Sequence, residues 1–165
     1  MRFSRHSNRL MLLISIIVYG LLFLTDNGCA HETLSKGETV YVSIYSSVHL
    51  GPKSRSFEMA AMLSIRNTDP KYAITIHLVD YYNTKGEKIV DYIKEAVQLK
   101  PLESTSFNIS TYDKKGGTGA NFIVKWSSKE NVNKPIIEGI MLGTSSGGQG
   151  ISFVCPGRSI TEHQE

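Results

Sequence analysis

The segment Gly143-Thr144-Ser145-Ser146-Gly147 has the spacing of the G-x-S-x-G motif of serine hydrolases. In those enzymes the motif forms a tight turn between a strand and a helix, and the turn presents the serine beside an oxyanion hole. Here the motif is followed by Gly148-Gln149-Gly150 and a strand-like run, and no aspartate follows Ser145. The structural context of the motif is therefore missing, and we expect a hairpin loop without a catalytic residue.

A second glycine-rich segment begins at Asp113 and includes two adjacent lysines. Backbone N–H groups in such a segment could bind an anion, but the dinucleotide-binding fingerprint and the P-loop both require a helix after the glycines. Residues 122–126 alternate like a strand instead, so we expect a flexible loop. Because loops on a rigid β scaffold commonly hold ligands, the two glycine-rich loops are the candidate ligand surface. Its residues are Lys114, Lys115, Gly116, Gly117, Gly119, Asn121, Ser145 and Gln149.

Metal-binding and acid–base motifs are not evident in the sequence. The histidines after residue 28 show no i,i+2 or i,i+4 spacing, as a local zinc site would require. The carboxylates show neither the spacing of an EF-hand nor a pairing typical of a glycosidase. The sequence therefore predicts no catalytic residue, no metal site and no cofactor.

The N-terminal residues have the outline of an export signal. Arg2, Arg5 and Arg9 precede an apolar stretch from Leu10 to Leu24. As a helix this stretch would reach roughly 22 Å, short of the roughly 30 Å hydrocarbon core of a bilayer, and its length suits the apolar region of a signal peptide. We predict a signal peptide over residues 1–28, with an uncleaved anchor as the alternative.

Two cleavage sites are consistent with the residues that follow. Gly28-Cys29 resembles the end of a bacterial lipoprotein signal, in which the cysteine is diacylated and becomes the mature N-terminus, although Asp26 and Asn27 depart from the usual pattern. Ordinary cleavage after Ala30 is the alternative. We favour lipidation of Cys29, which predicts a membrane partner through the lipid anchor. The alternative gives a soluble periplasmic protein.

The positive charge of the chain belongs largely to this N-terminal segment. The full sequence of 165 residues carries a net charge of +3, but residues after position 28 contain 15 basic and 14 acidic side chains. Binding of nucleic acid through release of counterions requires an excess of basic residues. The composition therefore predicts no nucleic-acid partner.

Apolar and polar residues alternate along most of the remaining chain, which predicts strands. Val40, Val42 and Ile44 begin this pattern after a polar segment at 29–38, which we predict to be a flexible tether. Eight or nine short strands separated by turn signals, without helical periodicity, predict an all-β domain at 39–158, a single antiparallel β-sandwich of immunoglobulin-like type. Residues 159–165 are expected to form a disordered tail.

Individual turns and strands are also predicted. Phe57 to Ile65 alternates as one half-buried strand, and Ser46 to Ser56 is expected to be a polar connection. Asn83-Thr84-Lys85-Gly86 predicts a tight hairpin loop with Gly86 in the left-handed conformation. Asn67-Thr68-Asp69-Pro70 has turn chemistry, because Asn and Asp side chains bond their own backbone and Pro fixes φ.

Several segments together resemble an uncharacterised family of exported bacterial proteins, many of them lipoproteins. They are Arg66 to Pro70, Val79 to Gly86, Gly116 to Trp126 and Gly150 to Val154, and the resemblance extends over roughly Glu38 to Arg158. The middle section also resembles extracytoplasmic immunoglobulin-like modules. The resemblance implies export and a β-rich fold, and it supplies no activity and no catalytic residue.

Two functions from different classes follow from these observations. The first is a non-enzymatic binding or interaction module of the cell envelope, tethered to a membrane and facing the periplasm or the cell exterior, whose partner would be an envelope protein or a glycan. The second is an envelope hydrolase whose site is assembled from loops. The absence of an intact nucleophile, dyad or metal motif in the sequence favours the first.

Overall fold

The computed structural model describes residues 34–50, 55–110, 113, 115–144 and 150–162, all within one compact unit, Glu32–Glu165. These residues form strands and no helix, and accordingly none of them belongs to a helix able to cross a membrane. The strands are β1 (Ser35–Ile44), β2 (Ser47–Leu50), β3 (Arg55–Glu58), β4 (Ala60–Arg66), β5 (Ile74–Tyr82), β6 (Lys88–Asp91), β7 (Val97–Leu99), β8 (Ser104–Ile109), β9 (Ala120–Val132), β10 (Ile136–Thr144), β11 (Gly150–Pro156) and β12 (Arg158–Glu162).

Three antiparallel sheets contain these strands. A six-stranded sheet has the order β12-β1-β9-β5-β6, with β7 also paired to β5. A four-stranded sheet has the order β11-β10-β4-β8, and β2 pairs with β3 in a separate hairpin. The predicted all-β, antiparallel class is confirmed, although the structure has three sheets where one sandwich was expected.

The two larger sheets contribute their inward side chains to one core. Val40, Val42 and Ile44 are buried on β1, as their alternation predicts, and Trp126 is fully buried on β9. The sheets approach closely in places, since a Cβ on Gly139 of β10 would lie 2.6 Å from Ile44 Cδ1. Gly139 therefore leaves the space that the Ile44 side chain occupies between the sheets.

Both ends of the predicted domain differ from expectation. β1 begins at Ser35, inside the predicted tether, because Glu38 is buried and ion-paired with Lys134 and its backbone pairs with Trp126 of β9. β12 extends through Glu162, where a disordered tail was expected, because its backbone pairs with β1. Polar side chains predominate in both segments, so the alternation pattern did not predict that they form strands.

The predicted polar connection 46–56 contains the β2–β3 hairpin. The strand predicted to run without interruption from Phe57 to Ile65 is divided at Met59, whose N–H donates to Ser46 O at 2.9 Å. This hydrogen bond ties the start of the hairpin to the start of β4. The predicted loop at 83–86 is confirmed, with Gly86 at a φ of 78°.

Two buried side chains, Asn67 and Asp69, join three connections of the fold. Asn67 Nδ2 donates to the carbonyl oxygens of Tyr72, Leu99 and Lys100 at 2.9, 3.3 and 2.9 Å. Asp69 accepts from the N–H groups of Lys71 and Tyr72 through Oδ1, both at 2.8 Å, and from Asn133 through Oδ2 at 3.1 Å. These hydrogen bonds therefore hold three connections together at one point: the connection between β4 and β5, that between β7 and β8, and that between β9 and β10. This set of contacts is the Asn67–Asp69 junction.

Candidate functional site

A concave region lies where β5, β7 and β9 meet on the six-stranded sheet. It has a volume of about 510 Å³, within the usual range of small-molecule sites. We call it the β5–β9 groove, and its lining residues are Tyr72, Ala73, Thr75, His77, Gln98, Ser127, Ser128, Lys129 and Glu130. Of the residues proposed from the glycine-rich loops, none of those that the structure describes belongs to this lining.

A bulge in β5 places His77 in the groove. Ile76 pairs with Trp126 and Leu78 pairs with Lys125, so His77 is an extra residue without a partner in the ladder. Bulges re-aim side chains and are common beside functional sites. The re-aimed imidazole contacts the strand next to it, with His77 Nε2 2.7 Å from Ser127 Oγ.

β9 is irregular at the same place. Ser127 pairs with Gly37 and Val132 pairs with Ser35, so a single residue of β1 lies opposite four residues of β9, 128–131. Three of these four, Ser128, Lys129 and Glu130, line the groove. Two independent interruptions of a regular ladder therefore converge on one concavity.

The floor of the groove is a row of polar side chains across three strands. Thr75 of β5 pairs with Gln98 of β7 on one side and with Ser127 of β9 on the other. Neighbouring strands lie about 4.8 Å apart, so the row presents hydrogen-bonding groups at that interval.

The Asn67–Asp69 junction holds Tyr72 at the end of the groove. Both the N–H and the carbonyl oxygen of Tyr72 are bonded to the junction. Lys71 Nζ lies 4.9 Å from the centre of the Tyr72 ring, and its interaction with this side chain raises the pKa of Lys71. Burial alone would raise the pKa of Asp69, but the N–H groups of Lys71, Tyr72 and Asn133 outweigh it and lower that pKa.

The groove can form hydrogen bonds, but it has only part of a catalytic arrangement. Ser128 Oγ is already bonded to Ala73 O at 3.0 Å. His77 and Ser127 form a possible base and nucleophile pair, yet no carboxylate among the described residues is bonded to the imidazole. A Ser–His pair without a third group to orient the ring lacks the geometry of a triad. The described ranges also contain no group of three metal-ligating side chains.

The predicted loop residues lie elsewhere. Lys115 and Gly119 are exposed, Gly116 is buried, and Asn121 is half-buried at the start of β9. Lys114, Ser145 and Gln149 lie outside the described residues, as does Cys29. Gly117 is half-buried, so the described members of this set range from exposed to buried along one segment, 115–121.

The described part of the 113–119 loop is bonded to the β5–β6 hairpin. The N–H and Oγ1 of Thr84 both donate to Gly116 O at 3.0 Å, and Gly119 N–H donates to Thr84 Oγ1 at 3.0 Å. A Cβ on Gly116 would lie 1.8 Å from the hydroxyl oxygen of buried Tyr81. The close approach of this loop to Thr84 and Tyr81 accounts for its glycines, and a bound ligand is not needed to account for them.

A signal for the bulge is present in the sequence. The buried apolar side chains of β5 are Ile74 and Ile76, then Val79 and Tyr81, so their spacing changes from two to three around His77. A strictly alternating strand cannot bury both pairs on one face. From the sequence, this histidine was considered only as a metal ligand, and the break in alternation was not identified.

Comparison with known families gives the class of the protein. Residues 37–160 match the family described as "Protein of unknown function (DUF3124)". The match covers most of the chain, so the protein belongs to this family. The prediction of an uncharacterised family is confirmed.

Comparisons with individual proteins add little to this result. No curated protein matches the chain. A solved structure described as "Crystal Structure of Thermotoga maritima 1070" is similar, with a TM-score of 0.43 and 13% sequence identity. That similarity covers 73% of this chain and 92% of the other chain.

Proposed function

We propose that this protein is a non-enzymatic binding module of the cell envelope that holds its ligand in the β5–β9 groove. In this proposal an immunoglobulin-like β-sandwich forms the scaffold, residues 1–28 direct export, and a lipid on Cys29 attaches the protein to a membrane. The basic and apolar residues that precede Cys29 support export and attachment.

One observation carries the binding proposal. The bulge at His77 and the four-residue excursion of β9 occur side by side, and together they form a concave polar surface. Each irregularity leaves backbone groups out of the regular ladder and costs stability. Because the two lie side by side, we interpret the surface that they form as serving ligand binding and not folding.

Binding is favoured over catalysis by the groups that the groove contains. Thr75, Gln98 and Ser127 supply hydroxyl and amide groups, which fix a ligand through hydrogen bonds but do not activate water by themselves. The polar groups also sit on strands instead of mobile loops, which keeps them in place before the ligand arrives.

A thermal-shift experiment tests this proposal. The purified full-length chain is heated with the low-molecular-mass fraction of an envelope extract, because a ligand that binds only the folded state raises its melting temperature. We expect a rise for the wild type and none for the Gln98→Ala/Ser127→Ala double variant. The matched control, Ser106→Ala/Asn108→Ala on exposed positions of β8, should respond like the wild type.

Two results would contradict the proposal. The first is a wild-type melting temperature that the extract leaves unchanged. The second is an equal rise in the double variant, which would place binding outside the groove.

A second candidate function, an envelope hydrolase, is favoured by one contact. His77 Nε2 and Ser127 Oγ lie 2.7 Å apart, as a base and its nucleophile would. Reaction with a fluorophosphonate probe separates the two functions. Covalent labelling that Ser127→Ala abolishes would favour the hydrolase, whereas an unlabelled wild-type protein would favour the binding module.

A further inference from the structure

We infer that the ligand of the β5–β9 groove is a saccharide, meaning a neutral molecule with several hydroxyl groups. This inference rests on the proposed binding function and adds the chemical class of the ligand. Three features of the groove support it: the charges of the lining, the donors and acceptors of the floor, and the aromatic ring at one end.

The charges in the lining are balanced. One lysine, Lys129, is followed directly by one glutamate, Glu130, and the other lining groups are hydroxyls, an amide, an imidazole, a phenol and the methyl group of Ala73. Recognition of phosphate or carboxylate needs several converging cations or a helix N-terminus. A hard metal ion needs several oxygen ligands. The balance therefore favours a ligand without a net charge.

The floor offers both donors and acceptors. The hydroxyls of Thr75 and Ser127 can donate and accept, and the amide of Gln98 has one group of each kind. A sugar hydroxyl also donates and accepts, so each floor residue can pair with one. Because these three residues lie in register on adjacent strands, they can contact successive hydroxyls of a chain of sugar rings.

Tyr72 adds an apolar surface with a polar end. The half-buried ring packs against the core and lies 4.9 Å from Lys71 Nζ, and the rest of its carbon surface and its hydroxyl are available in the lining of the groove. Sugar rings combine a face of C–H groups with a rim of hydroxyls, so they complement such a side chain. The junction bonds to both backbone polar groups of Tyr72, which limits the ordering cost when a ligand binds.

Ligand-observed NMR with defined probes tests this inference on the purified full-length chain. The saccharide probes are maltotriose, cellotriose and tri-N-acetylchitotriose, and inorganic phosphate and calcium chloride represent the charged classes. We expect at least one trisaccharide to bind, with neither phosphate nor calcium competing for the groove.

Two substitutions locate the binding. Thr75→Val keeps the shape of the side chain and removes its hydroxyl, and Ser127→Ala removes the hydroxyl opposite. Each should weaken trisaccharide binding by about tenfold, the effect of one lost hydrogen bond. The matched control is Thr144→Val at an exposed position of β10, which should bind like the wild type within about twofold.

Failure of all three trisaccharides to bind would overturn the inference, as would binding that neither substitution weakens. Phosphate or calcium binding that Ser127→Ala abolishes would also overturn it. The thermal-shift experiment separates these results from failure of the proposed function. If the extract still stabilises the protein through the groove while every trisaccharide fails, the binding module stands and only the ligand class is wrong.

Discussion

Asn67 and Asp69 show how two buried side chains can set the shape of a site that they do not line. Their hydrogen bonds fix the backbone of Tyr72 and reach the connection after β9 through Asn133. Tyr72 at the end of the groove and the connection that follows β9 therefore depend on the same junction. Substitutions here should act first on stability and then on ligand binding.

Replacing Asn67 by Ala should destabilise the protein by roughly 2–3 kcal/mol, because three carbonyl oxygens would lose their donor in a buried position. Urea unfolding followed by circular dichroism measures this free energy. Asn108→Ala is the matched control, since Asn108 is exposed on β8, and it should change stability by less than about 0.5 kcal/mol. Equal effects of the two substitutions would show that the junction contributes no special stability.

Asp69 should make stability depend on pH in the acid range. Its pKa is lowered in the folded protein, so folding favours the ionised carboxylate. This contribution is fully present above the pKa of the unfolded chain, about 3.9, and is lost as the pH falls through the folded pKa. Urea midpoints measured from pH 6 down to pH 2 should fall less steeply in Asp69→Asn than in the wild type.

The control for this prediction is Glu95→Gln, which changes an exposed carboxylate between β6 and β7. It should keep the slope of the wild type. If Asp69→Asn also keeps that slope, the junction does not hold its carboxylate in the ionised form.

At the level of elements, the groove lies where β9 pairs irregularly with both of its neighbours, β5 and β1. Between Trp126 and Phe122 the pairing of β9 with β1 is regular, and the side chains alternate between core and surface. In the pairings of β9 the interruptions lie at His77 and after Ser127, and the sheet has further irregularities where β1 pairs with β12 and where β5 pairs with β6. The regular part supports the fold, and the irregular part shapes the surface.

Deletion of His77 should therefore be tolerated by the fold and should remove ligand binding. Without the extra residue, Ile74, Ile76, Val79 and Tyr81 would alternate without a break and would still face the core. The deleted variant should unfold cooperatively in urea while losing the extract-dependent thermal shift. An unfolded product, or a variant that still responds to the extract, would contradict this role of the bulge.

Deletion of Val124 provides the control for that prediction. Val124 lies in the regular part of β9, paired with Val40 on one side and Val79 on the other. Removing it would turn one half of the strand to the wrong face, either exposing Trp126 or displacing Phe122 from the core. We expect this variant not to fold.

Strands with one buried face could be predicted from the sequence, and contacts between distant segments could not. The alternation of Val40, Val42 and Ile44 is a local property, and so is the turn chemistry around Gly86. β12 lacks a clear apolar face, and the apolar residues of the β2–β3 hairpin, Val48 and Phe57, lie opposite each other only when the two strands pair, so the strand character of both depends on pairing.

The groove depends on the same kind of distant contact. His77 and Ser127 are 50 residues apart, and Gln98 joins them only because β7 pairs with β5. No spacing along the chain encodes this meeting. The change in alternation around His77 was the single local sign, and it predicts a bulge without showing what the bulge faces.

At the scale of the whole molecule, the proposed lipid anchor requires different chemical reactivity of the two cysteines. Cys29 must react to receive a lipid, whereas Cys155 is half-buried on β11 and forms no disulfide within the described part of the chain. Burial raises the pKa of the Cys155 thiol, which reduces the reactive thiolate. The two residues thus form a natural pair of test and control positions.

We expect the protein extracted from membranes to begin at Cys29 and to carry acyl chains. Two acyl chains on a diacylated cysteine give stable membrane attachment, whereas a single chain of similar length gives only reversible binding. Intact mass spectrometry measures both the first residue and the added mass. Cys29→Ser should lose the acyl mass, and Cys155→Ser should retain it together with the membrane location. An N-terminus at His31 without acyl mass would instead establish ordinary cleavage after Ala30, and the groove would then act in a freely diffusing protein.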